Sequence, residues 1–398
     1  MAAPVVNEVK SAGTMVLHMG PVHPGLHGIL SLDVTVAGEV VLAVRPSVGY
    51  LHRGIEKIAE NKTYTQIIML MERLDFTAPM ISAFGYCLAV EKLLDLEVPE
   101  RSQDIRVIMA ELSRIQSHLV WLANYSTDLG STTPAMFAFQ QRERILDIWG
   151  MVAGSRMHPF YLRIGGVSRD ISNEAAEHIS EFVETFPRRI DECEAFLTHN
   201  QIWIGRTKGV GAVSAEEAIR HGLTGPVLRA TGVAHDLRKV HPYSGYERYE
   251  FEVPVRRQGD AYDRYLVRIN EMRQSVGLVK QGLAALRPGP LCADVPQVIP
   301  PPLERVGSDA AALIHHFKIF SEGFSVPEGQ AFIAIESPRG EVGIFLVSDG
   351  SPRPYRLRVK TPSFMNLQAL ELLTRGKTVS DLIAILGSLD ISMSEVDR

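Results

Sequence analysis

Apolar and polar side chains alternate from Leu30 to Val36: Leu30, Leu32, Val34 and Val36 are separated by Ser31, Asp33 and Thr35. A period of two marks a strand with one buried face. Ala37-Gly38 supplies a turn and Val40 to Val44 returns, so Thr14–Pro46 reads as β structure built on a hairpin. The period then changes. After Pro99, a residue suited to the first turn of a helix, apolar side chains fall at Ile105, Ile108, Met109, Leu112, Ile115, Leu119 and Leu122. That three-and-four spacing predicts a helix with a buried face. The same pattern predicts helices over 64–72, 78–95, 135–154, 174–198, 261–285 and 308–321. Alternation resumes over Ala331–Ile335, Val342–Val347 and Tyr355–Val359, which read as a three-stranded meander, and helices near 366–374 and 378–386 follow. The Pro-rich stretch 286–303 reads as a tightly packed connecting loop. The expected fold class is α+β: a central helical bundle flanked by two small antiparallel sheets. Along the chain it divides into an N-terminal β region (1–60), a helical core (61–325) and a C-terminal meander with helices (326–398), expected to form one compact unit.

Composition narrows the function by exclusion. The 398 residues are 45% hydrophobic and 22% charged, the balance of a folded globular chain. A net charge of −5 disfavours general nucleic-acid binding. The 3 cysteines, Cys87, Cys193 and Cys292, form no CxxC pair, which argues against a disulfide framework, a zinc ribbon or a self-ligated iron–sulfur cluster and suits a reducing compartment. The start, MAAPVVNEVKSAG, lacks the basic and apolar regions of a signal peptide. The charge-free stretch Phe76–Val90 is interrupted by Pro79 and is shorter than the ~20 residues a bilayer span needs. Membrane attachment is therefore expected through a partner. Nucleotide motifs fail by one residue each. Gly209-Val210-Gly211 is followed by Ser214 where GxGxxG needs glycine, and Gly376-Lys377-Thr378 is preceded by Glu371 where a P-loop needs glycine. The adjacent His315 and His316 point to different helix faces, one expected packed and one exposed, and make no metal clamp.

A series of longer motifs remains. Met19-Gly20-Pro21-Val22-His23-Pro24-Gly25-Leu26-His27-Gly28 joins histidines to a rigid turn beside a strand. It is followed, in order, by Gly49-Tyr50-Leu51-His52-Arg53-Gly54-Ile55-Glu56-Lys57, Lys62-Thr63-Tyr64-Thr65-Gln66, Glu72-Arg73-Leu74-Asp75-Phe76 and Leu88-Ala89-Val90-Glu91-Lys92-Leu93-Leu94. Then come Arg142-Glu143-Arg144, Arg163-Ile164-Gly165-Gly166-Val167, Asp236-Leu237-Arg238-Lys239 and Glu395-Val396-Asp397-Arg398. From Met19 to the last residue this series resembles the D-type (49 kDa) subunit family of bacterial NADH–quinone oxidoreductase, the hydrogenase-like subunits of respiratory complex I.

The resemblance implies the fold of nickel–iron hydrogenase large subunits. It also implies a cavity that receives a quinone head group beside a neighbouring subunit carrying the terminal [4Fe–4S] cluster. The absence of both CxxC pairs argues against hydrogenase chemistry. His27 matches the family's quinone-binding histidine and Asp128 the carboxylate that hydrogen-bonds it. Read locally, without the resemblance, Asp128 is a residue of a helix C-terminal turn. A histidine suits this work because its proton affinity lies near neutrality, and a carboxylate partner raises its pKa and orients the ring. His23 is expected to be structural with some contact to the site. The family usually has a tyrosine where this chain has Phe76; a phenyl ring can stack on a quinone but cannot donate a hydrogen bond. Arg53, Arg73 and His158 match positions close to the neighbouring cluster, where cations and N–H donors raise its potential. Read locally, the arginines are salt-bridge residues and His158 a loop or core histidine. Ser394 stands where the family usually has glycine, and a small backbone change is expected there.

These matches imply a catalytic pair of His27 and Asp128, with Phe76 and His23 at the quinone and no bound metal. The implied partners are the cluster-bearing B-type subunit, the C-type subunit, the H-type subunit of the membrane arm and other complex I subunits. The implied location is peripheral, on the cytoplasmic side of the inner membrane. NADH and flavin would bind elsewhere in the complex. Two alternatives stay open: the same quinone module fed by reduced deazaflavin F420 or ferredoxin, and a catalytically silent scaffold.

Overall fold

The computed structural model describes residues 13–21 and 28–398. The N-terminal sheet contains β1 (Thr14–Met19), β2 (Ser31–Ala37) and β3 (Val40–Ser47), all antiparallel, with β2 in the middle. The alternation in β2 does what its period requires: Leu32, Val34 and Val36 are buried while the residues between them are half-exposed. The hairpin is thus extended by a third strand. β1 pairs Met15 with Val36 and Leu17 with Val34.

Periodicity also located the long helices. Tyr64–Glu72 and Ala261–Ala285 have the expected bounds, and Pro79–Leu93, Thr133–Ala153, Asn173–Leu197 and Ala310–Ser321 lie within two residues of theirs. The helix Glu100–Asp128 runs through the centre and packs on Pro79–Leu93, Thr133–Ala153, Ala261–Ala285 and the helix Val379–Leu389. Pro99 is the residue before this helix rather than its first member. Its ψ of 142° is extended, and Glu100 opens the first turn. In the motif Lys62–Gln66 the physical content is a capping box: the Thr63 hydroxyl accepts from Gln66 N–H, and the Gln66 side chain accepts from Thr63 N–H.

Two short strands, β4 (Leu162–Arg163) and β5 (Gly166–Val167), form a hairpin additional to the two expected sheets. The Pro-rich segment packs along it: Leu291 C=O accepts from Val167 N–H, and Gly165 C=O from Ala293 N–H. The meander is β6 (Gly329–Ser337), β7 (Gly340–Ser348) and β8 (Arg356–Lys360), ordered β6-β7-β8 and seated on the helix Pro79–Leu93. The helices Gln201–Thr207, Ala215–Arg220, Gly225–Arg229 and Leu237–Val240 line the return path between the long helices. On Ala310–Ser321 the apolar side chains Leu313, Ile314, Phe317 and Phe320 are exposed; His315 and His316 are both half-buried, so neither is the exposed histidine expected there. Among the described residues no helix is long and apolar enough to cross a membrane.

Among the described residues two apolar clusters hold the fold. The larger joins the long helices to the meander. The smaller joins β2 and β3 to Leu223, Val227, Leu370, Leu382, Ile385, Ile391 and Met393. It draws the N-terminal sheet and the last helices together, and Gly28 and Arg53 both touch the last turn at its edge.

Candidate functional site

Several motifs that carried the resemblance are one buried electrostatic frame. Arg106, on the inner face of the central helix, has no exposure and needs anionic partners. Glu91 supplies them from the neighbouring helix, its oxygens 2.5 and 3.0 Å from the guanidinium. The same guanidinium donates to the carbonyls of Arg163 and Gly166, and Glu91 accepts from Gly165 N–H at 2.7 Å. Glu91 and the Arg163–Val167 turn therefore belong together in space, with Arg106 as the link. A second group ties Asp236-Leu237-Arg238-Lys239 to the centre: Arg238 pairs with Asp236 at 2.6 Å and with Glu111 at 3.0 Å. A third sets Arg229 between Glu271 and Glu336, each at 2.7 Å, with His118 Nε2 2.9 Å from Glu271. Such frames hold helices in register because removing one partner strands a buried charge.

Arg53, Arg73 and His158 come together at the surface. Arg53 donates to Arg73 C=O at 3.2 Å and to Ser394 C=O at 2.6 Å. Arg73 donates to Met69 C=O at 2.8 Å. Both arginines are exposed, and neither is in a carboxylate ion pair among the described contacts. His158 is half-buried with Nδ1 unpartnered, and burial followed by the charge of Arg73 lowers its pKa. Two exposed cations on one patch suit an anionic group presented from outside this chain, while the unpartnered His158 Nδ1 is itself buried.

Glu72, beside Arg73, was not among the candidates. It extends the buried stripe Tyr64, Ile67, Ile68 and Met71, and it is 1% exposed with neither carboxylate oxygen in a side-chain hydrogen bond. Burial raises its pKa to about 7, against the opposing pull of the Phe160 backbone, Arg73 and Arg163. The signal was present in the sequence as an acidic residue at a core-facing helical position.

His23 and His27 lie outside the described residues. The described residues resume at Gly28. Gly28 has a φ of 129°, and a Cβ there would lie 2.6 Å from Met393 Cβ and 2.9 Å from Leu51 Cδ1. Only glycine fits that backbone and that contact. Asp128 closes the central helix, half-buried, as a residue of its last turn. Its Oδ2 lies 3.8 Å from where a Cβ on Gly387 would stand, and Trp121 Nε1 donates to Gly387 C=O at 2.8 Å. The loop end and Asp128 therefore both rest on the single segment Gly387–Met393. Phe76 is half-buried in the turn between Glu72 and Pro79, following the fully buried Asp75.

The last turn, Met393–Asp397, locks this region to the loop before Ile55. Asp397 accepts from Gly49 N–H at 2.8 Å and Leu51 N–H at 2.7 Å, and its carbonyl meets His52 Nδ1 at 2.7 Å. Ser394 is helical and buried, its hydroxyl 3.0 Å from that of Ser392, so no left-handed backbone is demanded there. Behind Phe76, Arg339 pairs with Asp75 at 2.5 Å and Asp390 at 3.2 Å. Glu395 completes this buried cluster. Among the described residues no three His, Cys, Asp or Glu side chains are grouped to hold a metal ion. A broad cleft of about 580 Å³, lined by Arg144, Asp147, Arg156 and His178, includes none of these residues.

Comparison with known proteins gives the family. Residues 128–398 match the family model described as "Respiratory-chain NADH dehydrogenase, 49 Kd subunit". The D-type subunit of NADH-quinone oxidoreductase from Geotalea uraniireducens (strain Rf4) is 52% identical over 390 residues, covering 98% of this chain and 100% of that protein. Its counterpart in Geobacter sulfurreducens is 50% identical over the same coverage. The second D-type subunit of Chloroflexus aurantiacus is 51% identical, over 97% of this chain and 94% of its own. With relatives this similar along the whole length, and a family model covering the larger part of it, the chain belongs to the 49 kDa subunit family of respiratory-chain NADH dehydrogenase.

Proposed function

We propose that this chain is the subunit of proton-translocating NADH–quinone oxidoreductase that forms one wall of the quinone-reduction chamber. It acts as an enzyme only within that complex. A neighbouring B-type subunit carries the terminal [4Fe–4S] cluster against the patch of Arg53, Arg73 and His158. The C-type subunit and the H-type subunit of the membrane arm are further neighbours, and the assembly sits peripherally on the cytoplasmic side of the inner membrane. The exposed apolar face of Ala310–Ser321 is in keeping with a chain that works inside an assembly.

The chemistry follows from the residues. Reduction of a quinone takes two electrons and two protons. A cluster held there by the neighbouring subunit would supply the electrons, and the exposed Arg53 and Arg73 would stabilise its reduced state. His27 holds one quinone oxygen and passes it a proton, while Asp128 orients the imidazole and keeps its proton affinity high. His23 steadies the loop. Phe76 forms a stacking wall and gives the quinone no hydrogen bond. The observation that supports this most is the seating of the Gly28 loop end and of Asp128 on one segment, Gly387–Met393. The test is a density map of the assembled complex with quinone bound. The head group is expected between His27, Asp128 and Phe76; a head group bound away from all three contradicts the reading.

A further inference from the structure

The group behind Phe76 does not balance its charge. Asp75, Asp390 and Glu395 are each 2% exposed or less, and they surround one fully buried guanidinium, that of Arg339. Asp75 also accepts from Thr77 N–H and Oγ1. Asp390 also feels the charge of Arg268, itself fully buried over the Trp121 ring and shared with Glu271. Glu271 is already matched by the charge of Arg229 and is hydrogen-bonded to His118, whose pKa burial lowers. Three carboxylates thus face two guanidiniums. Short of one counter-charge, the three carboxylates together retain a proton near neutral pH.

Geometry identifies where that proton resides. Asp75 and Asp390 each have a direct bond to Arg339. Glu395 has none: Oε2 accepts from the Ser363 hydroxyl, and Oε1 is buried with no partner. The other groups around it are uncharged, Ser363 itself and Thr361, whose hydroxyl donates to the Glu395 carbonyl. Burial and then the nearness of Asp75 push the Glu395 pKa up to about 8, against the pull of Arg339. The cluster is also adjacent to the site. Asp75 precedes Phe76, and Met393, two residues before Glu395, is the side chain against which Gly28 is seated.

We propose that Glu395 stores one proton behind the quinone site and releases it during quinone reduction. The proposal rests on the quinone-site reading above. In the step, the Glu395 O–H bond breaks and its proton replaces, one for one, a proton that the site delivers to form an O–H bond on a quinone oxygen. The electrons come from the cluster of the neighbouring subunit, and Glu395 is reprotonated from water before the next turnover. Glu395 does not touch the quinone; it is a positioning and proton-storing residue.

The experiment compares Glu395→Gln and Glu395→Asp in the assembled complex. It records kcat and KM for quinone as a function of pH, with NADH oxidation by an artificial upstream acceptor as the assembly control. The wild type is expected to lose kcat as pH rises through about 8. Glu395→Gln keeps the hydrogen bond to Ser363 but holds no transferable proton. It should lower kcat at least about tenfold, leave KM nearly unchanged and abolish the alkaline limb, whereas Glu395→Asp should keep a limb at a displaced pH. A Glu395→Gln complex with wild-type kcat and an unmoved limb overturns the proposal. If the variant fails to assemble, the wild-type infrared difference spectrum between oxidised and quinol states decides: a protonated-carboxyl band must be lost, and it must move in Glu395→Asp. Absence of such a band overturns the proposal. Asp128→Asn serves as the reference. If it too leaves quinone reduction intact, the site reading has failed; if it abolishes reduction while Glu395→Gln changes nothing, only the proton store has failed.

Discussion

The guanidinium of Arg106 spans both carboxylate oxygens of Glu91, at 2.5 and 3.0 Å, with neither residue in contact with solvent to any useful degree. That pair also gathers the backbone of the Arg163–Val167 turn, so it couples the helix Pro79–Leu93, the central helix and the β4–β5 hairpin. Glu91→Ala is expected to destabilise the protein by about 3–5 kcal/mol, the penalty for leaving a buried charge unpaired. The check is the thermal midpoint of the assembled complex, which should fall, with quinone and upstream activities declining together.

Glu72 makes a prediction about pH. Its folded pKa of about 7 lies above its ordinary value of 4.5. The folded state therefore binds the proton more tightly than the unfolded chain does. Its contribution to stability is full below pH 4.5 and is lost as pH rises through 7. Glu72→Gln keeps the neutral shape at every pH. It should be more stable than wild type at pH 8 by on the order of 3 kcal/mol, and the difference should vanish near pH 4.5. Denaturation curves at the two pH values measure it.

Gly387 allows the helix Val379–Leu389 to approach the end of the central helix. A Cβ there would come within 2.7 Å of the Tyr125 ring. Gly387→Ala should therefore displace Tyr125 and the turn carrying Asp128, at a cost of about 1–3 kcal/mol in stability. The quinone KM should rise several-fold while oxidation of NADH by an upstream acceptor stays unchanged.

Phe76 is the chain's departure from the usual tyrosine. If it stacks on the quinone, Phe76→Ala should raise the KM about tenfold, the size of effect that a lost aromatic contact of about 1.4 kcal/mol gives. Phe76→Tyr should lower KM by restoring a donor. Competitive binding of quinone-site inhibitors provides an independent readout, and an affinity untouched by Phe76→Ala would count against the stacking wall.

Much of the fold was legible because long elements repeat their period many times. The helices Tyr64–Glu72 and Ala261–Ala285 matched their expected bounds, and so nearly did the meander strands. The helices between Gln201 and Val240 run for too few turns to show a stripe, and β4 and β5 have only two residues each. The β4–β5 hairpin is set by Arg106 and Glu91, residues far away in sequence. The same reason hid the Asp75–Arg339–Asp390–Glu395 group: its members come from three segments far apart in sequence, and nothing local marks a carboxylate that will lose its solvent. The resemblance supplied Arg53, Arg73 and His158 singly. That Arg53 bonds the Arg73 carbonyl, and that the Arg73 charge reaches His158, are facts of packing. His23 and His27 lie outside the described residues, and the structure speaks to them only through the seat of Gly28.

The most direct test of the central claim replaces His27 by Ala and, separately, Asp128 by Asn in the assembled complex. Quinone reduction by NADH is then measured beside NADH oxidation by an acceptor that draws electrons upstream. The account expects quinone reduction to fall by about 10²–10⁴-fold, the usual loss on removing a positioned proton donor, while the upstream reaction persists. Quinone reduction at the wild-type rate in both variants would contradict it.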